Sequence, residues 1–154
     1  MLKRNGALKQ HVMSTENLSI EKFHGVLFSS EEKQYRLKRL GGAIALGEID
    51  EAFIPYLVTL NGFSILVTTQ CCTGHGGDNQ RMAHVDFRSN LPPREVFECV
   101  LTPLVKLFPE NVTIQIYGLE GDRLRYCVYM SNDLWEEITR ALIDILGDLH
   151  IVIR

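Results

Sequence analysis

The side chains best suited to chemistry lie in one short segment, Cys71-Cys72-Thr73-Gly74-His75. Two thiols and an imidazole could bind a metal ion, but zinc sites usually separate their cysteines by two or more residues, so we expect no metal here. A thiolate beside His75 or His84 could act as a nucleophile, although no acyl-transfer motif surrounds it. The backbone N–H groups of a glycine-rich loop could instead hold a phosphate or carboxylate. A plain tight turn that needs small residues is the remaining interpretation.

An apolar strand leads into this segment. Residues 63–69 are rich in β-branched and aromatic side chains, which is the pattern of a buried strand, and glycines at 74, 76 and 77 end it. The sequence therefore predicts that a strand delivers its last residues to the mouth of a glycine-rich loop, and that any site begins there.

A second polar set follows on the next predicted strand, where His84, Asp86 and Arg88 alternate with Val85 and Phe87. Because side chains alternate along a strand, these three polar residues share one side of it. A later strand carries a similar set, consisting of Arg123, Arg125, Cys127 and Tyr129. In one sheet the two sets could form a polar surface, with Asp86 receiving a ribose hydroxyl or acting as a base. The alternative is a solvated sheet face with cross-strand charge pairs.

The first predicted helix begins at Ser29 or Ser30, either of which can cap it, and runs to about Leu46. Lys33, Arg36, Lys38 and Arg39 make its first half basic, which indicates either a solvated face or an RNA-contacting patch. Gly47 breaks this helix, and Asp50 is placed to cap a second, shorter one.

The rest of the chain predicts a helix after Pro92-Pro93 with a kink at Pro103, and a hairpin over residues 112–130. A helix containing Trp135 as a core residue then runs to Gly147, and Leu149–Ile153 is expected to form a last short strand. This order favours an α+β domain over residues 21–154, with a mixed, mainly antiparallel sheet of about five strands covered by helices. Residues 1–20 are expected to form a loose N-terminal arm.

Composition narrows the class of protein further. The 154 residues carry a formal net charge of −3, so no global basic field would attract nucleic acid, although a local patch would suffice. Four cysteines lack a disulfide-scaffold spacing, and no segment is apolar enough for a membrane span or a signal peptide. We therefore expect a reduced, cytoplasmic protein without a membrane partner.

The central residues also resemble a known family. They are Gly47-Glu48-Ile49-Asp50, Pro55, Leu57, Asn61 and the run Thr68-Thr69-Gln70-Cys71-Cys72-Thr73-Gly74-His75. They are similar to the wybutosine-synthesising protein 3 family, the methylases of wyosine-type tRNA bases, whose members have Gly-x-(Val/Ile)-Asp and then Thr-Thr-Ser-Ser-Cys-Ser-Gly-Arg. The resemblance covers roughly residues 28–90. The departures are Gln70 and Cys71 in place of two serines, and His75 in place of the arginine.

The resemblance implies a methyltransferase that uses S-adenosylmethionine and acts on tRNA. It implies cofactor contacts from Asp50, Thr68, Thr69, Thr73 and Gly74, and catalytic roles for Cys72, His75 and Asp86. We expect RNA contacts from Lys33, Arg36, Arg81, His84 and Arg88. Since a mostly neutral histidine replaces an always-charged arginine at position 75, the alternative is a non-catalytic relative that binds a small ligand or a protein.

Overall fold

The computed structural model describes residues 29–72, 82–118 and 124–153. For residues 70–72 and 150–153 it describes the backbone and not the side chains. The helical elements are α1 (Ser30–Ala45), a 3₁₀ turn (Glu51–Phe53), α2 (Ile54–Asn61), α3 (Pro93–Val96), a π-helical segment (Phe97–Leu101), α4 (Thr102–Leu107) and α5 (Trp135–Ile153). The strands are β1 (Leu66–Cys72), β2 (Ala83–Ser89), β3 (Val112–Gly118) and β4 (Leu124–Met130). The predicted N-terminal arm and residues 21–28 lie outside this description.

The strands form one antiparallel sheet in the order β1-β2-β4-β3. The predicted α+β class and the hairpin of β3 and β4 are confirmed. The prediction of about five strands in a mixed sheet is wrong, because the described residues form four strands and every pair is antiparallel.

The missing strand is the end of α5, which continues through Gly147 to Ile153. Leu142, Leu146 and Leu149 recur at helical spacing and are buried, so this helix keeps one apolar face along its length. That burial outweighs the roughly 1 kcal/mol that a mid-helix glycine costs. No helix among the described residues combines the length and the apolar character needed to cross a membrane.

Helix α1 begins as its sequence predicts. The Ser29 Oγ accepts a hydrogen bond of 3.0 Å from the Glu32 N–H, and Glu31 and Glu32 lie in the first turn, where the helix dipole favours acidic side chains. The helix ends before Gly47, whose φ of +72° is the backbone conformation that glycine adopts most readily. Asp50 occupies the predicted capping position of the 3₁₀ turn, but its side chain makes no capping hydrogen bond.

The kink predicted at Pro103 takes the form of the π-helical segment directly before it. A proline within a helix clashes with the carbonyl four residues earlier and donates no hydrogen bond. The Thr102 N–H instead bonds to the carbonyl of Phe97, five residues back, so the helix is widened next to the proline. The segment keeps Cys99, Val100 and Leu101 buried.

The core lies on the sheet face formed by Ala83, Val85 and Phe87, and α2, the π-helical segment, α4 and α5 supply buried residues to it. An aromatic group closes one end of it: Phe53 is fully buried and stacks on Trp135 with ring centroids 5.0 Å apart. Tyr56 meets Trp135 edge-on at 5.6 Å. Trp135 therefore packs against the core, as its helical spacing predicts.

The core also holds a phenol whose ionisation should destabilise the fold at high pH. Tyr126 is 2% exposed and stacks on Phe87, and burial raises the pKa of Tyr126 to about 12. The folded state then releases this proton at higher pH than the unfolded state, so the stabilisation is complete below about pH 10 and is lost as the pH rises toward 12. We expect the free energy of unfolding to fall by up to about 1.4 kcal/mol per pH unit in that window. Urea unfolding at pH 9 and pH 11.5 measures it.

Two variants isolate this effect. Tyr126→Phe should reduce the slope by the contribution of one group, whereas Tyr35→Phe should leave it unchanged, because Tyr35 is 55% exposed. A smaller slope should remain in Tyr126→Phe, because the pKa values of Cys127 and Tyr129 are also raised. An equally steep loss in Tyr126→Phe would contradict the assignment.

Candidate functional site

The structure describes some of the predicted site residues and not others. Thr73, Gly74, His75 and Arg81 lie outside the described residues. Cys72 is the last residue of β1, and its position in the register is opposite His84. The cofactor, RNA and catalytic roles assigned to all of these positions remain predictions.

A cavity of about 470 Å³ lies between α1 from Arg36 onward, the loop after this helix and β1. The helix contributes Arg36, Arg39 and Leu40, and the loop contributes Leu46, Glu48 and Ile49. Thr68 and Thr69 complete the wall from the strand. The cavity is therefore lined by two of the predicted cofactor-binding residues, Thr68 and Thr69. Asp50 was also expected in the pocket, but the lining contains Glu48 and Ile49 instead.

Two polar atoms of this lining are buried without a hydrogen-bond partner among the described residues. They are the Arg36 Nε and the Thr69 Oγ1. By contrast, the Thr68 Oγ1 accepts a hydrogen bond of 2.8 Å from the Asn61 Nδ2, and Arg39 donates to the Tyr35 hydroxyl at 3.1 Å. Buried polar groups in folded proteins are nearly always paired, so an unpaired donor and an unpaired hydroxyl in one cavity wall mark where a bound molecule would find partners.

Thr69 reaches the cavity because β1 contains a bulge. Thr68 pairs with Phe87 and Gln70 pairs with Asp86, so Thr69 is the extra residue between them. A bulge redirects side chains locally and is common next to functional sites. The bulge also shifts the register of β1 by one residue, so that Gln70 pairs with Asp86 of β2.

His84 and Asp86 of β2 belong to a second cluster, which lies on the sheet face opposite the core. We call His84, Asp86, Arg125, Cys127 and Tyr129 the polar-face cluster. Asp86 pairs with Cys127 and His84 pairs with Tyr129 across the adjacent strands β2 and β4, so the described members of both predicted polar sets do lie in one sheet. Arg123 lies outside the described residues. The His84 Nδ1 lies 3.1 Å from the Asp86 Oδ1, and the Arg125 Nε lies 3.6 Å from the Asp86 Oδ2.

Asp86 and Cys127 are the buried members of the cluster, and His84 and Arg125 are partly exposed. The Asp86 side chain is 4% exposed and Cys127 is fully buried, whereas the His84 side chain is 22% exposed. Burial raises the pKa of the Cys127 thiol to about 12, and the neighbouring Asp86 adds to the shift. A hydrogen bond with Tyr117 raises the pKa of Tyr129. A histidine held against a buried carboxylate can move a proton, and with a thiol beside it can also ligate a metal ion.

The four described members of the predicted RNA-contacting set lie in different surroundings. The Lys33 ammonium donates to the carbonyls of Phe63 and Leu66 at 2.6 and 2.9 Å, and burial lowers the pKa of Lys33. Arg88 is 1% exposed and pairs with Glu32 of α1. These two residues therefore join α1 to the sheet, whereas Arg36 lines the cavity and His84 belongs to the polar-face cluster.

The sequence prediction gave no part in the cofactor pocket to Arg39 and Glu48, two charged residues of the cavity lining. Arg39 follows Arg36 by three residues, and positions i and i+3 of a helix share a face, so the helical period could have paired them. Glu48 lies inside the segment that carries the family resemblance, but the loop geometry that turns it toward the cavity has no sequence signature.

Comparisons with known proteins bear on the fold. No protein-family model matches the chain, and no curated protein matches it. Among solved structures, the PH1069 protein from Pyrococcus horikoshii is similar, with a TM-score of 0.51 and 16% sequence identity. The alignment covers 80% of this chain and 95% of that one. At this identity, the likeness shows that the two chains share a fold.

Proposed function

We propose that this protein binds S-adenosylmethionine in the cavity between α1 and β1 and methylates a wyosine-type base of tRNA. The observation that carries the proposal is the cavity wall, in which the two motif threonines lie beside an unpaired buried Arg36 Nε and Thr69 Oγ1. The family resemblance of residues 68–75 supplies the identity of the cofactor and of the acceptor.

The size and charge of the cavity suit such a molecule. Small-molecule sites usually measure about 300–1,000 Å³, and this cavity holds about 470 Å³. Arg36 and Arg39 would bind the carboxylate of the amino-acid part, since a guanidinium fork matches a carboxylate. Glu48 would face the ammonium group or the ribose hydroxyls, and Leu40, Leu46 and Ile49 offer apolar area to the base.

S-adenosylmethionine, when bound, would supply a methyl group activated for transfer to a nitrogen. The residues of this chain would then align the acceptor and exclude water, which is the main work in an amine methylation. The bulge places the cavity next to the polar face, because Thr69 lines the cavity and Gln70 pairs with Asp86. An acceptor base bound over the polar face would therefore lie one strand away from the cofactor.

Calorimetric titration of the reduced protein with S-adenosylmethionine, with and without tRNA, tests the binding step. We expect a dissociation constant in the micromolar range. Thr69→Val removes one hydroxyl and should weaken binding about fivefold, because a hydrogen bond to a ligand contributes about 1 kcal/mol. Arg36→Gln removes a charged donor and should weaken it by about 10- to 100-fold.

Matched controls come from exposed positions near the same elements. Thr59→Val removes a hydroxyl and Lys38→Gln removes a positive charge on exposed surfaces, and both variants should bind as the native protein does. Equal binding in all four variants would place the ligand elsewhere. No heat up to millimolar cofactor, with tRNA present and the protein folded, would overturn the proposal.

Transfer of a labelled methyl group to tRNA tests the catalytic step. Binding that responds to Thr69→Val and Arg36→Gln, combined with no transfer, would favour the non-catalytic relative. His75→Arg then separates the two cases, because restoring the family residue should produce transfer only if its loss ended catalysis.

A further inference from the structure

The polar-face cluster suggests a site that is independent of the cavity. We propose that His84, Asp86 and Cys127 bind a divalent transition-metal ion, with zinc as the best-matched metal. None of the three belongs to the segment Cys71–His75, for which we expected no metal because its cysteines are adjacent in the sequence.

The fold brings the three side chains together from two neighbouring strands. His84 and Asp86 are two apart on β2 and therefore share a face, and Cys127 of β4 pairs directly with Asp86. One ligand atom from each residue lies within 4.8 Å of the others. Tetrahedral zinc separates its nitrogen, oxygen and sulfur ligands by about 3.3–3.6 Å, so the cluster needs to contract by at most ~1.5 Å.

The chemistry of the three ligands fits zinc. A thiolate, an imidazole and a carboxylate together are ligands that zinc takes in proteins, whereas calcium and magnesium prefer oxygen alone. On binding, the Cys127 S–H bond breaks, its proton goes to solvent and a sulfur–metal bond forms. The thiolate and the carboxylate then balance the two positive charges, which matters because Asp86 and Cys127 are buried.

Two features of the surroundings bear on metal binding by this cluster: the neighbouring Arg125 and the partial exposure of His84. The Arg125 Nε lies 3.6 Å from the Asp86 Oδ2, which leaves Oδ1, the oxygen near His84, for the ion. At this distance the guanidinium attracts the carboxylate without a hydrogen bond, since the Arg125 Nε has no hydrogen-bond partner among the described residues. The His84 side is partly open to solvent, so a water or a substrate atom could take a fourth position, as at catalytic zinc sites.

The experiment uses the full-length reduced protein, purified without a tag and loaded with zinc alone, then dialysed and measured for bound metal. We expect one zinc per chain in the native protein. His84→Gln and Cys127→Ser should each lower the affinity by 100-fold or more. His84→Gln keeps the test meaningful if the buried Cys127→Ser unfolds, because His84 is partly exposed.

Two controls separate this site from other thiols. Cys99→Ser removes the other described buried thiol and should keep the zinc, as should the double variant Cys71→Ser/His75→Gln. Cobalt substitution adds a direct readout, since a thiolate–cobalt absorption band should appear in the native protein and vanish in Cys127→Ser. No bound metal, or zinc lost with Cys71→Ser/His75→Gln and kept in both cluster variants, would overturn the proposal.

Discussion

Glu32→Gln should destabilise the protein by about 3–5 kcal/mol, the usual cost of removing one partner from a buried ion pair. Arg88 is 1% exposed and pairs with Glu32 in the first turn of α1. The Glu32 side chain is 17% exposed. The variant keeps the backbone cap at Ser29 and removes only the negative charge beside a buried guanidinium. Urea unfolding at pH 7 measures the change, which is large against the 5–15 kcal/mol typical of a whole domain.

The neighbouring glutamate provides the control. Glu31 also lies in the first turn of α1 but is exposed, so Glu31→Gln should change the free energy of unfolding by less than about 0.5 kcal/mol. Arg88→Met combined with Glu32→Gln should cost less than Glu32→Gln alone, since no buried cation is then left without this carboxylate. Equal losses in Glu31→Gln and Glu32→Gln would show that the pair contributes little.

This ion pair shows which features of the fold local sequence patterns can predict and which they cannot. The alternation around Arg88 predicts its strand, and Ser29 with Glu32 predicts the start of α1, because both signals are local. The patterns treat Arg88 as solvated or RNA-facing because charged residues are usually exposed. Its burial depends on α1 crossing the sheet at this point, which no local pattern encodes. The predicted helix end at Gly147 is wrong for the same reason. The burial of Leu146 and Leu149 in the core outweighs the low helix propensity of glycine.

The candidate site shows the same division between local and tertiary information. Thr68 and Thr69 could be selected from their motif, and the cavity does lie against them. The bulge that turns Thr69 toward the cavity is set by pairing with β2 and cannot be seen in β1 alone. Likewise, the spacing of His84 and Asp86 predicts a shared face, but Cys127 joins them only through the register of a strand about forty residues later.

Asn61→Ala should cost about 3 kcal/mol, because Asn61 connects α2 to the start of the cavity wall. Its Nδ2 donates to the Leu57 carbonyl and to the Thr68 Oγ1, both at 2.8 Å, and its Oδ1 accepts the Thr68 N–H at 3.0 Å. The side chain is buried, so truncation removes the partner of the Thr68 N–H and hydroxyl, each worth about 1–3 kcal/mol when left unpaired. Thermal and urea unfolding measure the loss.

The exposed Thr59→Ala on the same helix gives the comparison, since its hydroxyl bonds only to the Pro55 carbonyl among the described residues and should matter by less than about 0.5 kcal/mol. A loss in Asn61→Ala no larger than this control would mean that Thr68 is held by its strand alone. If the proposed cofactor site is correct, Asn61→Ala should also weaken ligand binding at temperatures where the variant is still folded. The reason is that Thr68 shares its wall of the cavity with Thr69, so a displaced β1 moves both hydroxyls together.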